Sequence, residues 1–151
     1  MRALTVWQPS AWALVAGHKT IENRSKPVPV LAGDTDSFRG RVLIHAGLGY
    51  DPGVVQWMEG YLGIRFMESH RVHGAIVGSV EIYDCVERVA GVDLGPWATA
   101  GAGGGDHAPY CWRVRNALEF DEQLTVKGNL GLWTVTDEVL SWALDQERQA
   151  A

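Results

Sequence analysis

Cysteine is scarce: Cys85 and Cys111 stand far apart, in neither the paired spacing of a zinc site nor a redox CxxC. Both read as buried thiols. No apolar run approaches the roughly 20 residues a membrane-spanning helix needs, so the chain reads as a soluble protein with no membrane partner. The start, MRALTVWQPSAW, lacks the uninterrupted apolar stretch and small-residue cleavage site of a secretory signal; a cytoplasmic location follows by default. Basic residues are in deficit, 13 Lys and Arg against 18 Asp and Glu, and the net charge of −5 argues against indiscriminate binding to polyanions. There is no GxSxG elbow, no cysteine in a nucleophile context and no GxxxxGK[ST] loop. The common hydrolase triads and phosphate-loop chemistry therefore find no support.

What is present suits one domain, here residues 1–151: the length is ordinary for a single core, and the 46% hydrophobic fraction can fill it. Seven tryptophans are many for so short a chain, and any exposed one is a candidate stacking surface. Charge is polarised. Residues 19–41 hold five basic side chains (Lys19, Arg24, Lys26, Arg39, Arg41) against three acidic, net +2, whereas residues 119–147 hold seven acidic against one Lys, net −6. A local basic cleft on an acidic protein favours specific over non-specific contacts.

The hydrophobic pattern predicts strands near 3–7, 41–46, 75–83, 110–118 and 130–135. In HGAIVGSVEIYD the two faces separate cleanly: Ile76, Gly78, Val80 and Ile82 on one, Val77, Ser79, Glu81 and Tyr83 on the other. Pro9 opens a short helix that Gly17 ends, residues 53–63 carry helical spacing, and residues 136–151 read as a C-terminal helix with a frayed tail. The glycine-rich AGAGGGDH reads as a mobile loop. Five or six strands with three short helices do not alternate as βαβ units do. The expected fold is α+β: a small, mostly antiparallel β-barrel with peripheral helices.

Several polar groups are candidates for chemistry. His70 and His73 are three apart, but no third ligand accompanies them and no metal is expected. Arg113 and Arg115 share a strand's polar face and are available to phosphate or to solvent. His45, at a strand end, either lines a pocket or satisfies a backbone carbonyl. The densest cluster is WQPSAWALVAGHKTIENR, residues 7–24. There a cation, a carboxylate and a guanidinium (Lys19, Glu22, Arg24) follow a helix within a few residues, and alternation points Glu22 and Arg24 the same way. Such a cluster reads a base edge through Gln8 and Glu22, stacks a ring on Trp7 or Trp12, and meets phosphate through Lys19 or Arg24; it equally fits a surface ion pair.

WQPSAWALVAGHKTIENRS, RGRVLIHAG, GAIVGSVEIYDCV and KGNLGLW together resemble the ASCH domain of the PUA-like superfamily, over about residues 4–135. The N-terminal motif has the form QPxAxxLxxGxKxxExR, matched by Gln8, Pro9, Gly17, Lys19, Glu22 and Arg24. The resemblance implies a PUA-like barrel with a cleft at this motif and roles in binding RNA or DNA. Some members are amidohydrolases of acylated cytidine using a lysine and a threonine; Lys19 matches the lysine, while Glu22 stands at the threonine position. Others are ribonucleases.

The expected function is thus a binding module for RNA, single-stranded DNA or a modified nucleotide, without a cofactor. Its expected contacts are Trp7, Gln8, Pro9, Trp12, Lys19, Glu22, Arg24, Arg41, His45, Tyr110 and Arg113. In the hydrolase alternative Lys19 and Glu22 are catalytic; in a third, the acidic C-terminal helix docks a protein.

Overall fold

The computed structural model describes residues 1–150. The alternating segment at its centre is β4 (Ala75–Glu87), flanked by β3 (Gly40–Tyr50) and β5 (Tyr110–Thr125). Outside these lie β1 (Arg2–Gln8) and β6 (Leu132–Thr134) on one side and β2 (Ile21–Arg24) on the other, giving the order β2-β5-β4-β3-β1-β6. Among the described residues only β1 and β3 pair in parallel; the other ladders are antiparallel. Three helices complete the α+β fold: α1 (Ser10–Val15), α2 (Pro52–Leu62) and α3 (Asp137–Ala150). The helix expected from Asp137 to about Arg148 is α3, which continues to Ala150, so residues 149 and 150 of the expected frayed tail are helical; residue 151 lies outside the described residues. Among the described residues no helix is long and apolar enough to cross a membrane.

The expected barrel does not close. β2 and β6 are the two edges of an open sheet, with no ladder between them. Each is short, four and three residues. The chain leaving β2 carries Pro27 and Pro29, which lack the N–H a continuing ladder requires. The turn entering β6 has Gly131 in the left-handed region, φ 66°. The pairing that would close the barrel is therefore replaced by a seam.

Beyond its first residue, the partly exposed Ser10, α1 is apolar and buried on all sides: Ala11 to Val15 are each at most 8% exposed. It packs with Val80, Ile82 and Trp112 in one core cluster. Gly78 permits the approach, because a Cβ there would meet Val15 side-chain carbons at 2.7 and 2.8 Å. On a second cluster α3 packs Val139 and Ala143 with Ile76, Phe120 and Trp133. α2 starts at a proline after Asp51, whose carboxylate accepts from Val54 N at 3.1 Å, and ends at the left-handed Gly63.

The glycine-rich segment differs from expectation. It forms two 3₁₀ turns, Pro96–Ala98 and Ala100–Ala102, with Trp97, Ala98 and Ala102 buried against Trp12 and Met58. Two of its glycines serve close packing: a Cβ on Gly101 would collide with the Trp57 indole, and one on Gly104 with the Ala98 carbonyl.

Candidate functional site

β1 brings Trp7 and Gln8 to the end of the sheet, where its register against β3 is interrupted between Val6 and Gln8. Bulges of this kind re-aim a side chain, and Trp7 emerges 61% exposed. Gln8 is buried. Its Nε2 donates to the carbonyls of His70 (3.1 Å) and Val72 (2.9 Å), and its Oε1 accepts from Trp12 N at 3.0 Å. That amide thus fixes the start of α1 to the 70–72 segment, with both N–H donors and one acceptor site of Oε1 engaged within the protein. Pro9, also buried, precedes α1 as its N-cap.

After α1, Gly17 takes φ 83° and turns the chain, and Lys19 N donates back to Ala13 O at 2.8 Å. This folds Lys19 inward. Its ammonium is 2% exposed by residue, 3.2 Å from Ser10 Oγ, 3.8 Å from Glu22 Oε1 and 5.6 Å above the Trp97 ring. Glu22, on β2 opposite Trp112, is 7% exposed. Its Oε2 is buried with no hydrogen-bond partner. Arg24, two residues on along β2, holds its guanidinium 5.5 Å from the Trp112 ring centroid.

Trp7, Gln8, Ser10, Lys19, Glu22 and Arg24 line one cleft of about 370 Å³, with Asp51, Ala102, Gly103 and the 129–131 turn completing its walls. Asn23 clasps one wall: its Nδ2 donates to Trp97 O at 2.8 Å and Ala102 O at 3.4 Å. The glycine-rich segment is thereby tied to β2. Cys111 Sγ lies 3.8 Å from Asn23 Oδ1, and burial pushes that thiol's pKa up.

Sequence reasoning did not single out Ser10, Asn23, Asp51, Ala102, Gly103 or the 129–131 turn. Ser10 and Asn23 sit inside the recognised motif, so their position was the available signal; the others reach the cleft only through tertiary packing.

The remaining expected contacts lie elsewhere. Trp12 is buried and its ring stacks on His70 at 4.1 Å, which removes it as a platform in the cleft. Arg41 donates to Ser79 Oγ (2.8 Å) and Asn116 O (2.7 Å) and lies 3.8 Å from Glu147 of α3. Arg113 faces Asp84 at 3.6 Å. Tyr110 pairs with Arg24 across the β2–β5 ladder and is partly buried against the core. His45 does both things considered for it: it lines an adjoining cavity of about 780 Å³, which shares Thr5, Asn129 and Leu130 with the cleft, and it sets Nε2 2.7 Å from Val126 O. Burial lowers its pKa. His70 Nδ1 accepts from Met67 N, and His73 Nδ1 lies 2.8 Å from Gly47 O. Among the described residues no group of three or more His, Cys, Asp or Glu is placed to hold a metal ion.

Residues 4–121 match the ASCH domain family. Among similar solved structures is that of ASCH from Zymomonas mobilis, with 12% identity and a TM-score of 0.55, covering 95% of this chain and 93% of that one. At such identity the likeness is one of fold. No curated protein matches the sequence.

Proposed function

The chain belongs to the ASCH domain family, and from that premise we propose that its cleft binds a nucleotide unit of RNA or of another single-stranded nucleic acid. The observation that carries the proposal is Glu22 Oε2, a buried carboxylate oxygen without a donor, beside the Lys19 ammonium in a lined cleft. A buried acceptor left unpaired is costly, and a base edge supplies an N–H donor there while offering a carbonyl or ring nitrogen to Lys19. Trp7 contributes an exposed indole for stacking. Arg24 at the rim is the cation for phosphate. The cleft's volume lies in the range of small-ligand sites, about 300 to 1,000 Å³.

Titration of the protein with nucleosides, nucleotides and short RNA and DNA oligonucleotides, followed by tryptophan fluorescence at low salt, tests this. Glu22→Gln, which turns an acceptor-only group into one that also donates, is expected to weaken binding at least tenfold, as is Lys19→Ala. Absence of saturable binding across the whole panel would sink the proposal.

One observation favours a second reading, hydrolysis of an N-acylated nucleoside. Ser10 Oγ lies 3.2 Å from Lys19 Nζ in the same cleft, within reach of a nucleophile and its base. Acyl transfer to Ser10 would need Lys19 Nζ to take the hydroxyl proton of Ser10, and water would then release the acyl group. Product release from acylated cytidine that disappears in both Ser10→Ala and Lys19→Ala would replace binding by catalysis as the primary role.

A further inference from the structure

The seam left by the open sheet runs directly out of the cleft. Between β2 and β6 it forms a further cavity of about 500 Å³, lined among others by Arg24, Lys26, Pro27, Trp112, Leu130 and Leu132. Arg24, Leu130 and Gly131 line both cavities, so a single groove leads from the Lys19–Glu22 floor to Lys26. Leu130, at the junction, is 97% exposed.

Charge is unevenly divided along this groove. The cleft balances Lys19 and Arg24 against Glu22 and Asp51, whereas the seam contains Arg24 and Lys26 and no carboxylate. On a chain of net charge −5 that is a selective place for an anion. The seam is also held in shape. Trp112 Nε1 donates to Lys26 O at 3.0 Å, fixing the segment after β2 against the strand, and the same indole lies under the Arg24 guanidinium. A cationic groove with apolar walls is the form that tracks a single-stranded backbone. A free nucleoside has no anionic group to place in it.

We propose that the seam is a second subsite of the cleft and that the ligand is a single-stranded oligonucleotide rather than a free nucleoside. With one base against Lys19 and Glu22, Arg24 meets the phosphodiester leading away from it and Lys26 the next one; this rests on the nucleotide-binding role proposed above.

The test is affinity as a function of length. Nucleoside, mononucleotide, dinucleotide, tetranucleotide and hexanucleotide of one homopolymer, in RNA and in DNA form, are titrated into the full chain at several salt concentrations. Affinity is expected to rise at least tenfold from nucleoside to tetranucleotide and then to level off. The slope of log affinity against log salt should steepen by about 0.7 for each phosphate engaged. Lys26→Ala, at an exposed position, is expected to cut the tetranucleotide-to-nucleoside affinity ratio several-fold and to lower the slope by about 0.7. A length dependence in either the RNA or the DNA series supports the seam. Equal affinity and equal slope at every length, with Lys26→Ala silent, would overturn it while leaving nucleotide binding in the cleft intact. No binding at any length would remove both.

Discussion

The indole of Trp7 lies against the backbone of Gly49, so closely that a Cβ at residue 49 would overlap the bond shared by its two rings. β3 therefore carries glycine where β1 lays down an aromatic, and Gly47 nearby leaves room beside the same ring. The ring is thus backed by β3, and the side chain remains 61% exposed at the mouth of the cleft. An exposed tryptophan on a fixed backing differs from one left free in solvent. It loses little conformational entropy when a base stacks on it.

Gly49→Ala is expected to displace the Trp7 ring with little loss of stability, since the ring has solvent to move into and Gly49 has no left-handed φ to strain. Base stacking on an aromatic is worth about 1 to 3 kcal/mol, so oligonucleotide affinity should fall about 5- to 150-fold. Trp7→Ala should give the same loss and Trp7→Phe a smaller one. Fluorescence titration reads both; an unchanged affinity in Gly49→Ala would mean the backing is irrelevant.

Lys19 and Glu22 form a pair whose side chains are 1% and 9% exposed. Removing one member leaves the other buried without compensation, at a cost of about 3 to 5 kcal/mol for a fully enclosed pair. Lys19→Met is expected to lose stability near the lower end of that range, measured by urea unfolding, because Glu22 can reach the open cleft. The double variant Lys19→Met with Glu22→Leu should recover much of that stability without recovering ligand affinity. Recovery of both would assign the pair to folding alone.

The sheet's centre is legible in the sequence because β4 is a long run rich in β-branched residues, but its expected alternation is not what is seen: Ala75 to Val80 are buried on both faces. Across the register shift between Ile76 and Gly78 the side chain of Val77 joins Val80 and Ile82 in one core cluster, while Ile76 joins another. α1 is legible from Pro9 and Gly17, whose backbone demands are local. The open seam is not, because closure depends on whether two short edges meet, and that is decided by Pro27, Pro29 and Gly131 acting from different parts of the chain. The glycine-rich segment misleads for a related reason. Its composition suggests entropy without compensation, while Gly101 and Gly104 are small because Trp57 and the Ala98 carbonyl come so near. In the site, Lys19, Glu22 and Arg24 are legible from motif spacing. The engagement of Gln8 by His70 and Val72 required knowing which distant backbone would arrive beside it.

Gly78→Ala tests the seating of α1. The added methyl would collide with the Leu118 carbonyl and the Val15 side chain, backbone on one side and a buried helix on the other. Overpacking of this kind costs about 1 to 3 kcal/mol. Because α1 holds Ser10 and leads into Lys19, ligand affinity should fall along with the unfolding midpoint. A variant as stable as the parent would show that α1 shifts freely on the sheet.

His45 predicts a pH dependence of stability. Trp133 Nε1 donates to Thr5 Oγ1 at 3.1 Å, Thr5 Oγ1 lies 3.3 Å from His45 Nδ1, and His45 Nε2 lies 2.7 Å from Val126 O. The chain of bonds is complete with a neutral ring that donates from Nε2 and accepts at Nδ1. A second ring proton would leave Thr5 accepting from two sides, and burial already lowers the ring's pKa below its ordinary 6.5. The unfolded chain therefore takes up the proton before the folded one does. The contribution of His45 is intact above pH 6.5 and is lost as pH falls from there toward the lowered native value, below which this group changes nothing further. Glu81, held low by Arg115 and Asn116, acts only in a more acidic range. His45→Gln keeps a donor for Val126 but does not titrate, so it should flatten the fall in urea midpoint as pH drops below 6.5. An identical fall in the variant would place the titrating group elsewhere.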